Sequence, residues 1–132
     1  MTAADAGRSA ARRGQDWQRK CAAYARTWYP SADHCGNIGK AGGSGDLLGI
    51  GDRIIECTVE PLTAIAKKLR EAEGDALRSE FDQWFVWKTA KGEPVGRSYV
   101  ITRAEVLWPL LARLDRLEGM LDEAYAELEA KP

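Results

Sequence analysis

Long apolar runs are missing from this chain of 132 residues. No stretch approaches the roughly 20 consecutive apolar residues that a membrane-spanning helix requires. The opening residues also lack the apolar core of a secretory signal. No membrane partner and a cytoplasmic location are therefore expected. Cysteine is scarce and odd in number: Cys21, Cys35 and Cys57 form no disulfide framework, which points to a reducing compartment. Histidine occurs once, as His34, and no Ser/His/Asp or nucleophilic-cysteine arrangement stands out. A zinc site drawn from Cys21, His34, Cys35 and Cys57 would lack paired Cys-x-x-Cys spacings. Adjacent His34 and Cys35 would also point to opposite faces of an extended strand. An excess of positive charge is missing too. The 19 Lys and Arg against 20 Asp and Glu give a net charge of −1, which weighs against a strong non-specific binder of nucleic acid.

What is present is unevenly placed. Arg8, Arg12, Arg13, Arg19, Lys20 and Arg26 crowd the front, and Lys40 precedes the most informative stretch, while the tail from Asp115 to Glu129 is acidic. With 45% hydrophobic residues, the chain can bury one core. Residues 1–13, rich in Ala, Ser, Gly and Arg, read as a flexible basic lead. Trp17, Cys21, Tyr24, Ala25 and Trp28 fall at helical spacing and predict a helix over 14–28. A short strand over 32–38 and a glycine-rich loop over 40–45 follow; the loop lacks the Gly-Lys-Ser/Thr ending of a phosphate-binding Walker loop.

Further on, a helix over 61–77 carries an apolar stripe of Leu62, Ile65, Ala66 and Leu69. Strands over 81–88 and 97–102 flank a polar turn at 91–96. Thr102-Arg103-Ala104-Glu105 has the form of a capping box that opens the last helix, which Pro109 is expected to kink. In that helix Leu110, Leu114, Leu117, Leu121, Ala124 and Leu128 alternate steps of four and three, a coiled-coil seam. Trp17, Trp28, Trp84 and Trp87 occupy core-like positions.

The most informative stretch runs from Gly45 and Asp46 through Leu47, Leu48 and Ile50, across a Gly-Asp turn at Gly51-Asp52, to Ile54-Ile55-Glu56-Cys57-Thr58. It reads as a hairpin of two apolar strands that carry one carboxylate each. Burying a carboxylate in an apolar strand is costly unless a cation or a donor meets it. Asp46 and Glu56, set side by side by strand pairing, can share a hard divalent cation. The plainer alternative is a turn-starting Asp and a salt-bridged edge Glu.

Gly-Asp, a short strand, a turn, then Ile-Ile-Glu-Cys, followed by a helix and two strands, resembles the core of the PD-(D/E)XK nucleases. The likeness is nearest to the small Holliday-junction resolvase-like proteins and spans about residues 14–111. Phe85-Val86-Trp87-Lys88 resembles the family's next strand, Lys91 to Gly96 its polar turn, and Ser98-Tyr99-Val100-Ile101 its last strand. The resemblance implies an α/β fold of the restriction-endonuclease-like kind, a central mixed sheet flanked by helices, here with a C-terminal helical extension over 112–132. It also implies hydrolysis of phosphodiester bonds in branched or duplex DNA by a homodimer. Asp46 and Glu56 would hold Mg²⁺ or Mn²⁺, and Arg12, Arg13, Arg19, Lys20 and Lys40 would contact phosphates. Two positions depart from the pattern. Thr58 stands where the family has its catalytic lysine, and Gln18 stands where the opening helix usually carries Glu. Lys40, Lys67, Lys68 and Lys88 are the available substitutes for the lysine. A module that kept the fold and lost cleavage is the alternative implied by those departures.

Overall fold

The computed structural model describes residues 2–35 and 45–132 and divides into two units, Met1–Thr102 and Arg103–Pro132. The first unit runs α1 (Ala3–Ala25), β1 (Asp33–His34), β2 (Leu47–Leu48), β3 (Arg53–Thr58), α2 (Ile65–Ser79), β4 (Gln83–Lys88) and β5 (Tyr99–Ile101). The second is one helix, α3 (Ala104–Ala130). Among the described residues the chain is thus mixed α/β, with three α-helices, a two-stranded antiparallel sheet β1–β2 and a three-stranded mixed sheet β3–β4–β5. Strands β3 and β4 pair in parallel through the α2 crossover, and β5 returns antiparallel to β4. Among the described residues, no helix is long and apolar enough to cross a membrane.

Strand β3 is buried on both faces, which is why it reads as a nearly continuous apolar run. Its side chains alternate. Ile55 and Cys57 join Trp17, Cys21, Ala22 and Ala25 of α1 in one core cluster. The small residues Cys21 and Ala22, both fully buried, let the helix backbone approach the sheet closely. The Trp17 indole N–H donates to the Trp87 carbonyl at 3.0 Å and ties α1 to β4. Ile54, Glu56 and Thr58 face the other way, and their register partners Trp84, Val86 and Lys88 share that face. There α2 covers the sheet with Ala72 and Ala76.

Several expectations change here. The first dozen residues are helical: α1 starts at Ala3, where Thr2 and Asp5 form a reciprocal capping box, and it stops at Ala25, ahead of the Tyr29-Pro30 break. The expected box at the start of α3 is not formed. The Thr102 hydroxyl donates to the Trp84 carbonyl instead, so Arg103 is the N-cap, with no side-chain bond. Helix α2 buries the line through Ala72 and Ala76 and leaves Leu62 and Ala66 exposed, because Leu62 lies in a separate 3₁₀ turn, Leu62–Ala64. Trp28 is exposed, beyond the end of α1. The first strand is only Asp33–His34; the rest of the expected 32–38 strand and the 40–45 loop fall mostly outside the described residues.

Candidate functional site

Asp46 links the two short strands to the main sheet. The Asp46 carbonyl accepts the Cys35 N–H at 2.9 Å, and its own N–H donates to the Ile55 carbonyl at 2.8 Å. Asp46 thereby joins the β1–β2 pair to the edge of β3. Gly45, just before it, has φ +71°; a Cβ there would lie 3.0 Å from Ile54 Cγ2 and 3.1 Å from the Ile55 carbonyl oxygen. Glycine therefore lets the chain lie flat on β3 and deliver Asp46 to that edge.

The Asp46 carboxylate turns along β3, and Oδ2 accepts the Cys57 N–H at 2.7 Å. That amide belongs to the peptide linking Glu56 and Cys57, so the two expected acidic residues flank the same short piece of backbone. Both are 1% exposed, and Thr58 is 4% exposed. Buried acids of this kind require compensation from donors or cations. For Asp46 part of it is the Cys57 amide, a charge-assisted bond of the short, strong kind.

Glu56 projects to the α2 side, into a cleft of about 340 Å³ that it lines with Arg70, Glu71, Gly74, Asp75 and Arg78. Asp75 pairs with Arg78. Glu71 pairs with Lys68 at 3.2 Å, and Lys68 also reaches Glu60 at 3.9 Å. The sequence signal for this cleft was present. Residues 70, 74 and 78, and residues 71 and 75, stand four apart on α2, so guanidinium and carboxylate rows lie beside a glycine.

Beside the two acids, the Cys57 side chain lies on the α1 side of β3. Its thiol stays protonated well above the ordinary thiol range, first because it hydrogen-bonds the Cys21 thiol, then through burial, and then through the charges of Cys21, Asp46 and Glu56.

The remaining expected residues are distributed as follows. Thr58 shares the face of Glu56, but its hydroxyl accepts the Glu60 N–H at 3.1 Å and so stabilises the end of the strand. Lys88 stands beside Thr58 in the β3–β4 register, and its ammonium donates to the Thr89 carbonyl at 3.0 Å. Arg12, Arg13, Arg19 and Lys20 are exposed on α1. Because α1 packs on the Cys57 face, these cations lie in the layer across the sheet from the Glu56 cleft; Arg19 is paired with Asp16. The structure does not gather them around the two acids. Gln18 is half-buried, and its amide oxygen is buried with no hydrogen-bond partner among the described residues. Lys40 lies outside the described residues.

No family model, curated protein or solved structure matches this chain. The reading of the site therefore rests on its own geometry. Among the described residues, no group of three or more His, Cys, Asp and Glu side chains is arranged to hold a metal. What the site offers is two carboxylates. That donor set fits Mg²⁺, which commonly takes one or two protein carboxylates and fills its remaining positions with water and substrate phosphate.

Proposed function

We propose that this chain is a metal-dependent DNA endonuclease of the PD-(D/E)XK type, resembling Holliday-junction resolvases, with Asp46 and Glu56 as the metal-holding pair. One observation carries the reading: two acids, each 1% exposed, flank one peptide where a two-stranded pair meets the main sheet. The order of elements supports it, since the acid-bearing stretch Asp46–Thr58 is followed by a crossover helix and two further strands. So does the sheet pattern, in which a parallel β3–β4 pair is extended by an antiparallel β5.

In this reading Asp46 and Glu56 hold Mg²⁺ or Mn²⁺, and the chemistry such an ion supplies is a bound water of lowered pKa and neutralised phosphate charge. Asp46 is held rigid by the Cys57 amide, which fixes where its second oxygen can reach. Lys88 is the best-placed substitute for the motif lysine, because it stands next to Thr58 on the face that carries Glu56. The exposed cations of α1 would engage the backbone of a duplex large enough to reach beyond the sheet edge.

A second reading has its own support. Thr58 spends its hydroxyl on Glu60, and Asp46 spends one carboxylate oxygen on Cys57, as expected of a scaffold that retains its fold as a DNA-binding or interaction module without cleaving. Incubation of the full chain with a labelled four-way junction and with nicked duplex in Mn²⁺ separates the two. Cleavage that disappears in Glu56→Gln supports the endonuclease. Binding without cleavage at any Mn²⁺ concentration supports the module.

A further inference from the structure

The second unit consists of one helix, so nothing within that unit covers its apolar seam. Helices in proteins draw most of their stability from packing an apolar face against a neighbour. The seam is long and regular. Leu107, Leu114, Leu121 and Leu128 repeat every seven residues, and Leu110, Leu117 and Ala124 fill the intervening position. Leu114, Leu117, Leu121 and Leu128 are all exposed, from 49% to 64%. Pro109, inside the helix, stands two residues after Leu107 and so off the line of the seam.

A strict seven-residue repeat drifts by about 20° per heptad around a straight helix. Over three heptads it keeps facing a partner only if that partner winds with it, which a helix does and a sheet face does not. The charges flanking the seam then select the partner. In a parallel pair, each residue just before a Leu114-type position meets the residue five places further along the other helix. For this chain that sets Arg113 against Glu118 and Met120 against Tyr125, and twofold symmetry makes each match twice. An antiparallel pair centred on Leu117 and Leu121 would instead bring Glu118 against its own copy.

We infer that α3 pairs with the α3 of a second copy of this chain as a parallel, in-register coiled coil with reciprocal Arg113–Glu118 contacts. The inference is independent of the chemistry proposed for Asp46 and Glu56.

Sedimentation equilibrium of the full chain at low ionic strength tests it through a charge-swap cycle. Arg113→Glu and Glu118→Arg should each weaken the dimer, on the order of tenfold, since each replaces two attractive pairs by two repulsive ones. The double variant should recover the wild-type constant. Both positions are exposed, and circular dichroism should show unchanged helix in all four proteins. A wild type that stays monomeric at high concentration overturns the inference, because the seam is then covered within one chain or left bare. A Glu118→Arg variant that dimerises as well as wild type, or a double variant that does not recover, overturns the parallel register.

Discussion

Removing the Asp46 side chain should destabilise the fold, and keeping its shape without its charge should not. In Asp46→Ala the Cys57 amide loses its 2.7 Å acceptor inside a buried strand. A hydrogen bond to a charged group contributes about 1.5–3 kcal/mol net, and stranding a buried donor costs a further ~1–3 kcal/mol. Relief of one buried negative charge beside Glu56 offsets part of this, so a loss of about 2–4 kcal/mol is expected. In Asp46→Asn the amide oxygen can accept the same N–H, and the like-charge repulsion is gone; its stability should lie within ~1 kcal/mol of wild type. Urea unfolding at neutral pH, followed by circular dichroism, measures both. An Asp46→Ala midpoint equal to wild type, or an Asn variant as damaged as the Ala variant, would refute the argument.

The same titration separates structure from metal. Mn²⁺ at a hundred times its dissociation constant should stabilise the wild type by about 2.7 kcal/mol and leave Asp46→Asn and Glu56→Gln unmoved. Equal stabilisation of all three proteins would remove these acids as ligands while leaving the hydrogen-bond argument intact.

Four further outcomes are expected. Gly49 has φ +79°, and a Cβ there would sit 2.5 Å from the Ser31 carbonyl oxygen, so Gly49→Ala should cost at least ~2 kcal/mol. Gly92→Ala, also at positive φ but in open space, should cost about half that, and thermal midpoints in the reverse order would contradict the model of the turn. For the thiols, Ellman's reagent should label at most Cys35 rapidly in the native state, since Cys21 and Cys57 are buried, and all three in denaturant. Because folding raises the Cys57 pKa, its contribution to stability is complete below the unfolded value, about 9, and is lost as pH climbs above it; Cys57→Ala should flatten that slope. If Lys88 supplies the missing ammonium, Lys88→Ala should lower cleavage by roughly a hundredfold, and adding Thr58→Lys should restore part of it; a fully active Lys88→Ala would point to Lys67 or Lys68.

The crossover helix, the two later strands and the last helix were legible because each has a local signature: an amphipathic repeat, an apolar run, a heptad. The expected hairpin over 45–58 is not formed: β2 pairs with β1 in a separate sheet, and it is Asp46 whose N–H bonds the Ile55 carbonyl of β3. What was not legible depended on competition between partners. Thr102 has the sequence of a helix cap, yet its hydroxyl finds the Trp84 carbonyl. The real box, Thr2 to Asp5, was masked by Ala, Gly and Arg composition that reads as a loose lead. Trp28 looks like core by spacing, but α1 ends three residues earlier, so it stands exposed over a groove with Tyr24 and Tyr29. The Glu56 cleft is not evident from the apolar stripe alone: the line of Ile65 and Leu69 continues through Ala72 and Ala76, and the charged residues beside that line, Arg70, Glu71, Asp75 and Arg78, are the ones that meet the buried acid.

The two readings of the site differ in what they require of Asp46. As a structural residue it needs only an acceptor aimed at the Cys57 N–H, and an asparagine would supply one without a buried charge. A carboxylate adds to the cost twice, by its own desolvation and by repulsion from Glu56 across one peptide. Thr58 does not offset this, since it is neutral and its hydroxyl is turned to Glu60. The cations that line the Glu56 cleft, Arg70 and Arg78, belong to α2 on one side of the sheet, whereas Asp46 sits at the strand edge. If Asp46 holds metal, its charge is what the cation uses, because a hard divalent ion prefers carboxylate oxygen. The metal-holding reading therefore expects an Asp46→Asn protein that is as stable as wild type yet blind to Mn²⁺, and an Asn variant that still binds Mn²⁺ as wild type does leaves Asp46 with only the structural role.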